Sequence, residues 1–349
     1  MSESKATQSI AQADLGKRVY TGSGKGAEKP LAGAWTEEEP YIAAPSLVDA
    51  VNTALYLRRP LLLEGEPGGG KTRLAFAVAY ELGYPLHECY IRSTSRAQDL
   101  LYEYDALGRL YDIQEEKAGS GSAKPRKEYV NYGELGKAIK RSTEENSPSV
   151  VLIDEIDKAD IDFPNDLLLE LDRLKFQVKE VPEIEGINAF KPTGSSTEQT
   201  REQRRHHLPL IIITSNREKE LPKPFLRRCL FYYINFPDDR TLKTILENRF
   251  IDPPEGSLAL FQNIFLELRR PELNLRKTPG ISEFLDWVTI LLQKGQGAKI
   301  KALQSLTSQS KEQQLKAFAQ IPHLEALIKT QSDRDTLFRI SRGSGSTNG

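Results

Sequence analysis

Gly65-Glu66-Pro67-Gly68-Gly69-Gly70-Lys71-Thr72 fits the pattern G-x-x-x-x-G-K-[ST] without a mismatch, and its residue types suit one kind of chemistry. Glycines at 68, 69 and 70 permit backbone angles that a Cβ would forbid, so successive N–H groups can turn inward around one anion. Lys71 is placed to reach the β- and γ-phosphates of a nucleotide as a point charge, and the Thr72 hydroxyl to ligate Mg²⁺. The stretch therefore reads as a nucleoside triphosphate cradle; the bland alternative is a glycine turn followed by a surface lysine. A second cluster is the carboxylate pair Asp154-Glu155. Asp154 suits a Mg²⁺ site, through its waters, and Glu155 suits the orientation and activation of an attacking water. Asn216 has an amide that both donates and accepts, which fits a γ-phosphate or that water. Arg227 and Arg228 carry planar, permanent charge of the kind that neutralises a transferred phosphoryl group. A solvated strand end, a turn asparagine and a surface arginine pair are the corresponding plain readings.

These groups are useful only if secondary structure brings them together. Pro60 to Glu64 reads as a short buried strand, and Leu74, Ala75, Val78, Ala79 and Leu82 fall at helical spacing after the loop, so the glycines sit between strand and helix as phosphate binding requires. The run Val150-Val151-Leu152-Ile153 before the carboxylates is continuous and largely β-branched, as in a parallel strand covered on both faces. Leu210-Ile211-Ile212-Ile213-Thr214 before Ser215-Asn216 has the same character. If the three strands are parallel, their polar ends meet in one crevice. The expected fold is thus α/β, a P-loop NTPase with a doubly wound parallel sheet, followed by an α-helical lid. Helical patterns run over 240–250, 258–268, 281–293, 300–306, 311–319 and 324–329, and Asp238 is placed to cap the first. A separate helical partner-binding domain is the alternative for this half, with Trp287 read as core.

In this order, the phosphate loop, the acidic strand end, Asn216 and the arginine pair resemble an AAA+ ATPase. Tyr41-Ile42, Asp99-Leu100-Leu101-Tyr102, Pro164-Asn165-Asp166-Leu167-Leu168 and the Pro-Phe-Leu-Arg-Arg-Cys run ending at Cys229 resemble its MoxR-like branch. The likeness covers about residues 38 to 293. It implies ATP with Mg²⁺ and a ring-forming homo-oligomer, usually hexameric, with each nucleotide between two subunits. It also implies remodelling or activation of partner proteins, often ones with a von Willebrand factor A domain. On this resemblance Arg228 is the finger acting across subunits, with Arg227 in reserve. The family's second sensor is an arginine at the start of a lid helix. Thr278-Pro279-Gly280-Ile281-Ser282-Glu283-Phe284 contains none, which leaves Arg276, with Lys277, just before it. Two rival readings stay open: an ATP-operated switch or scaffold that hydrolyses slowly, and a GTP-driven motor on nucleic acid. The second rests on Asp157-Lys158-Ala159-Asp160, which is similar to the guanine-reading [NT]-K-x-D pattern.

The chain has 349 residues, with 48 basic and 49 acidic side chains and a net charge of −1. Two domains with a substantial core are affordable at this length, and no global attraction to nucleic acid or anionic membrane is expected. The basic cluster Arg201, Arg204, Arg205, His206, His207 has no aromatic residue interleaved to stack a base, so it reads as a solvated loop. Cys89 and Cys229 are too few for a disulfide framework and suit a reducing, cytoplasmic setting. The first 34 residues lack a signal-type apolar core, and the run from Leu208 to Ile213, with Pro209 inside it, is too short to span a bilayer. The expected organisation is a disordered tail over 1–37, the ATPase core over 38–237 with mobile insertions near 112–130 and 181–207, the lid over 238–335, and a flexible tail over 336–349.

Overall fold

The computed structural model describes residues 18–182, 184, 187–188, 207–293, 297–307 and 318–341. The chain divides into two units, Met1–Gly65 with Lys71–Ile234 and Glu66–Gly70 with Asn235–Gly349. In the first, α1 (Pro45–Leu57) leads into β1 (Leu61–Gly65), α2 (Lys71–Leu82) and β2 (Leu86–Tyr90). An antiparallel pair, β3 (Tyr102–Tyr104) and β4 (Val130–Tyr132), brackets α3 (Ala106–Lys117). There follow α4 (Glu134–Glu144), β5 (Val150–Asp154), the short α5 (Phe163–Asp166) and α6 (Leu168–Arg173), and the small pair β6 (Lys175–Phe176) and β7 (Ile187–Asn188). The unit closes with β8 (Leu210–Ser215), α7 (Lys223–Leu226) and β9 (Leu230–Ile234).

Five strands form one sheet in the order β2-β5-β8-β1-β9, and every neighbouring pair is parallel. The apolar runs dictate this. Leu62, Val151, Ile153, Ile211 and Ile213 enter one core with Leu135, Ala138 and Ile139 of α4, whereas Leu61, Leu63, Val150, Leu152 and Ile212 enter another with Leu74, Ala75 and Val78 of α2. Successive side chains thus go to opposite faces, and both faces need apolar residues. Each fully buried aliphatic side chain contributes about 1.5–3 kcal/mol, which is why a run of them fixes the strand. The expected doubly wound parallel sheet is what forms.

Register then decides what stands at the strand ends. β8 lies between β1 and β5, with Leu63 opposite Thr214 and Ile153 opposite Ile213. The next positions on these strands are polar, so Glu64, Thr214–Asn216 and Asp154–Glu155 emerge side by side.

Two segments expected to be disordered or mobile carry specific contacts within this unit. Residues 18–37 are packed, not loose: Tyr20 is 1% exposed, and its backbone exchanges hydrogen bonds with the Asn52 side chain at 3.0 and 2.7 Å. Leu31 and Trp35 donate from their backbones to Gly83 and Tyr84, and the Trp35 ring stands edge-on to Phe76 at 5.0 Å. The composition hid two aromatic anchors among small residues. The segment 112–130 likewise contains the end of α3, whose N-cap Asp105 accepts from Gly108 at 2.8 Å. Tyr129 donates to Asp112 at 2.7 Å and accepts from Lys124 N–H at 3.0 Å, tying the two ends of that insertion together. Most of the 181–207 insertion, including Arg201, Arg204, Arg205 and His206, lies outside the described residues, as do residues 1–17.

The second unit is helical: α8 (Asp239–Arg249), α9 (Ser257–Leu268), α10 (Ile281–Leu291), α11 (Gly297–Thr307), α12 (Leu324–Leu327) and α13 (Gln331–Ser341). Asp238 caps α8 by accepting from Thr241 N–H at 2.8 Å, as its position before the helix suggests. The core is aromatic. Phe265 stacks on Phe284 at 4.0 Å, Phe261 meets Trp287 edge-on at 5.4 Å, and the fully buried Trp287 donates to Pro322 O at 2.8 Å. Trp287 is therefore a core residue. The predicted helix over 311–319 falls mainly outside the described residues. The tail expected to be loose from residue 336 instead continues α13 to Ser341, with Leu337 buried; residues 342–349 lie outside the description. Among the described residues no helix is long and apolar enough to cross a membrane.

Candidate functional site at the carboxyl ends of the central strands

Gly65 ends β1 at φ +157°, where an added Cβ would sit 2.6 Å from the Ile234 carbonyl oxygen of the adjacent strand. Only glycine allows that approach. Gly68 and Gly70 take φ of +74° and +85°, the left-handed region, while Gly69 does not. Two of the three expected glycine conformations are thus used. Lys71, first residue of α2, is 5% exposed and donates from Nζ to the Gly65 carbonyl at 2.9 Å, so its charge is held within the loop. Glu66 pairs with Arg269 at 2.7 Å, within the second unit to which Glu66–Gly70 belong.

The strand ends carry a continuous chain of hydrogen bonds. Thr72 Oγ1 donates to Asp154 Oδ1 at 2.9 Å, and Thr214 Oγ1 donates to the same oxygen at 2.6 Å. The Thr214 oxygen in turn accepts from the Glu155 N–H at 2.8 Å. Asn216 Nδ2 donates to Glu155 Oε1 at 2.9 Å, and Lys158 Nζ is ion-paired to Glu155 Oε2. That hydrogen bond to Glu155 is the main reason the Lys158 ammonium is held above its ordinary pKa. Glu155 itself has φ +56° and ψ +52°. A left-handed backbone costs a non-glycine residue about 1–2 kcal/mol, and here it turns the chain out of β5 so that the carboxylate faces Asn216.

A buried carboxylate supports this row from behind. Asp157 is 2% exposed, and its Oδ2 accepts from the backbone N–H groups of Asn216 at 3.0 Å and Glu218 at 2.8 Å. It pins the loop that carries Asn216. Asp157 and Lys158, the first two residues of the Asp157-Lys158-Ala159-Asp160 pattern, are therefore both engaged with this cluster. Beside them, burial raises the pKa of Glu64, opposed by the charge of Arg217 at 3.4 Å and reinforced by Asp157.

Lys71, Thr72, Asp154, Glu155 and Asn216, which the sequence assigns to one site, lie together at the ends of β1, β5 and β8. Thr214, Asp157 and Lys158 were missed as members. The available signal was a polar residue, Thr214, closing an otherwise apolar run. Arg227 and Arg228 follow α7. Arg228 is ion-paired to Asp172 and donates from Nη1 to Pro224 O at 3.1 Å. In the helical unit, the backbone N–H groups of Arg276 and Lys277 donate to Asp333 at 2.7 and 3.1 Å. Burial would raise the Asp333 pKa, but its hydrogen bonds from Thr330, Arg276 and Lys277 win and lower it.

For Mg²⁺ the donor set fits. A hydroxyl and a carboxylate are hard oxygen ligands, and a nucleotide-borne Mg²⁺ needs only one or two from the protein. Among the described residues, no group of three or more His, Cys, Asp or Glu is placed to hold a metal ion. Both cysteines are buried free thiols, each with its pKa pushed up to about 12 chiefly by burial.

Residues 60–229 match the protein family described as AAA domain (dynein-related subfamily). Midasin of Giardia intestinalis is 27% identical over 205 residues, a stretch that is 58% of this chain and 4% of that protein. The chain thus spans a small fraction of the relative it matches.

Proposed function

We propose that the chain is an AAA+ ATPase, a reading supported by the match of residues 60–229 to an AAA domain, and that it hydrolyses ATP with Mg²⁺ at the ends of β1, β5 and β8. The observation that carries this is the unbroken hydrogen-bond chain from Thr72 through Asp154, Thr214 and Glu155 to Asn216. It begins at the residue next to the buried Lys71. Loop amides and Lys71 hold the β- and γ-phosphates. Thr72 and Asp154 would hold Mg²⁺, which would neutralise charge on the phosphate oxygens. Glu155 orients the attacking water and takes its proton, while Asn216 fixes the carboxylate and the water together.

The finer reading goes further. The protein forms a cytoplasmic homo-oligomeric ring, taken as a hexamer, in which Arg228, with Arg227 in reserve, reaches a neighbouring copy's nucleotide. Arg276 is the lid position assigned to sensing nucleotide state. Turnover remodels or activates a partner protein, in the manner of the MoxR-like branch, with a von Willebrand factor A domain as the partner feature to seek. Support for this layer is the motif resemblance, alongside a match whose own description is dynein-related. Nothing in the charge balance invites nucleic acid or a membrane surface.

Calorimetric titration with MgATP tests the first layer. Lys71→Ala removes a charged donor worth about 1.5–3 kcal/mol, so binding weakens about 10- to 100-fold. A parent protein that gives no heat, or a variant that binds like the parent, sinks the assignment. One observation favours the second reading, a slowly hydrolysing switch: both oxygens of Glu155 are already engaged, by Asn216 and Lys158.

A further inference from the structure

Thr214 is a fully buried hydroxyl placed between the two carboxylates that carry different halves of the chemistry. Its single proton goes to Asp154 Oδ1 at 2.6 Å, so its lone pair is what receives the Glu155 N–H at 2.8 Å. The direction of both bonds is forced, because an ionised carboxylate only accepts and an amide only donates. The two strands pair in parallel up to Ile153 and Ile213. At the next step the side chain of Thr214 takes over from the backbone ladder. It receives an amide that would otherwise continue the strand, just where Glu155 turns to φ +56°.

We propose that Thr214 is a positioning residue that sets the Mg²⁺-holding carboxylate of Asp154 and the water-activating carboxylate of Glu155 in one act. This rests on the ATPase reading above. The hydroxyl restrains the rotation of Asp154 together with Thr72, which donates to the same oxygen at 2.9 Å. It also stabilises the turned backbone that aims Glu155 at Asn216. Its methyl group suits the buried strand, so valine keeps the shape and strand preference and deletes only the polar link. Serine restores the link without the methyl.

The test compares Thr214→Val and Thr214→Ser with the parent. Three quantities are read: binding of a fluorescent ATP analogue in EDTA, binding of Mn²⁺ to the ADP complex by electron paramagnetic resonance, and kcat with KM for MgATP. Groups that orient metal ligands typically change metal affinity or activity about 10- to 100-fold when removed. Thr214→Val is expected to weaken Mn²⁺ binding and lower kcat within that range, while metal-free nucleotide binding stays within about threefold because the loop and Lys71 are untouched. Thr214→Ser is expected to recover both. A valine variant with parental Mn²⁺ binding and kcat overturns the proposal, as does a serine variant as impaired as the valine one. A Glu155→Gln control keeps the two claims apart: if it retains full turnover, the ATPase reading fails; if it loses turnover while Thr214→Val does not, only the Thr214 proposal fails.

Discussion

The strand-end cluster and the arginine pair after α7 are built in opposite ways. At the strand ends, Thr214 and Asp157 are 0% and 2% exposed, and each accepts or donates at least two hydrogen bonds. Behind α7, the side chains of Arg228 and its partner Asp172 are 42% and 41% exposed. An exposed ion pair of this kind contributes about 0–1 kcal/mol. The backbone beneath it is nonetheless fixed: Arg59 donates to the carbonyl of Arg227, to that of Arg228 at 3.1 Å and to that of Cys229 at 3.4 Å. A buried network is committed to one geometry, whereas charged side chains on a clamped backbone can exchange partners at little cost. The first suits the proposed preparation of solvent for attack within one chain; the second suits a group that acts outside its own chain.

The largest test of this contrast is Arg228→Ala. If the guanidinium reaches a neighbour's nucleotide, turnover falls by about 10³ or more while ATP affinity holds. Parent turnover then also climbs more steeply than in proportion to protein concentration through the assembly range. Should the loss appear in Arg227→Ala instead, the roles of the two arginines exchange; retained turnover in both variants would break the contrast. A smaller effect sharpens the other side. Lys158→Met frees one oxygen of Glu155 from an ion pair whose side chains are 43% and 35% exposed. Release of up to about 1 kcal/mol raises kcat about two- to fivefold. A fall in kcat would show that Lys158 assists Glu155 and does not restrain it.

The phosphate loop and the acidic strand end were legible because their chemistry demands particular residue types in sequence: Gly68 and Gly70 do adopt left-handed angles, and the run before Asp154 is buried on both faces. Thr214 was passed over because its role depends on which strand lies beside β5. The order β2-β5-β8-β1-β9 follows from long-range pairing and is written in no local pattern. Asp157 was read as part of a guanine-reading pattern, since nothing local shows that a left-handed residue at 155 folds it back under Asn216. The contacts of residues 18–37 are hidden in the sequence for a related reason. Their small and charged residues suggest disorder, yet Tyr20 and Trp35 find apolar surface on α1 and α2 that forms only once the sheet has assembled. Helix α3 was obscured by the glycine- and serine-rich stretch that follows it.

The most direct test is single-turnover hydrolysis of bound ATP by Glu155→Gln beside the parent, at equal nucleotide occupancy. The substitution keeps the side chain's size and its contact with Asn216 but removes the proton acceptor. Turnover is expected to fall by about 10²- to 10⁴-fold, the usual contribution of a positioned general base, with ATP affinity unchanged. Equal rates in the two proteins would contradict the assignment of Glu155 and, with it, the account of the strand-end cluster as a hydrolytic site.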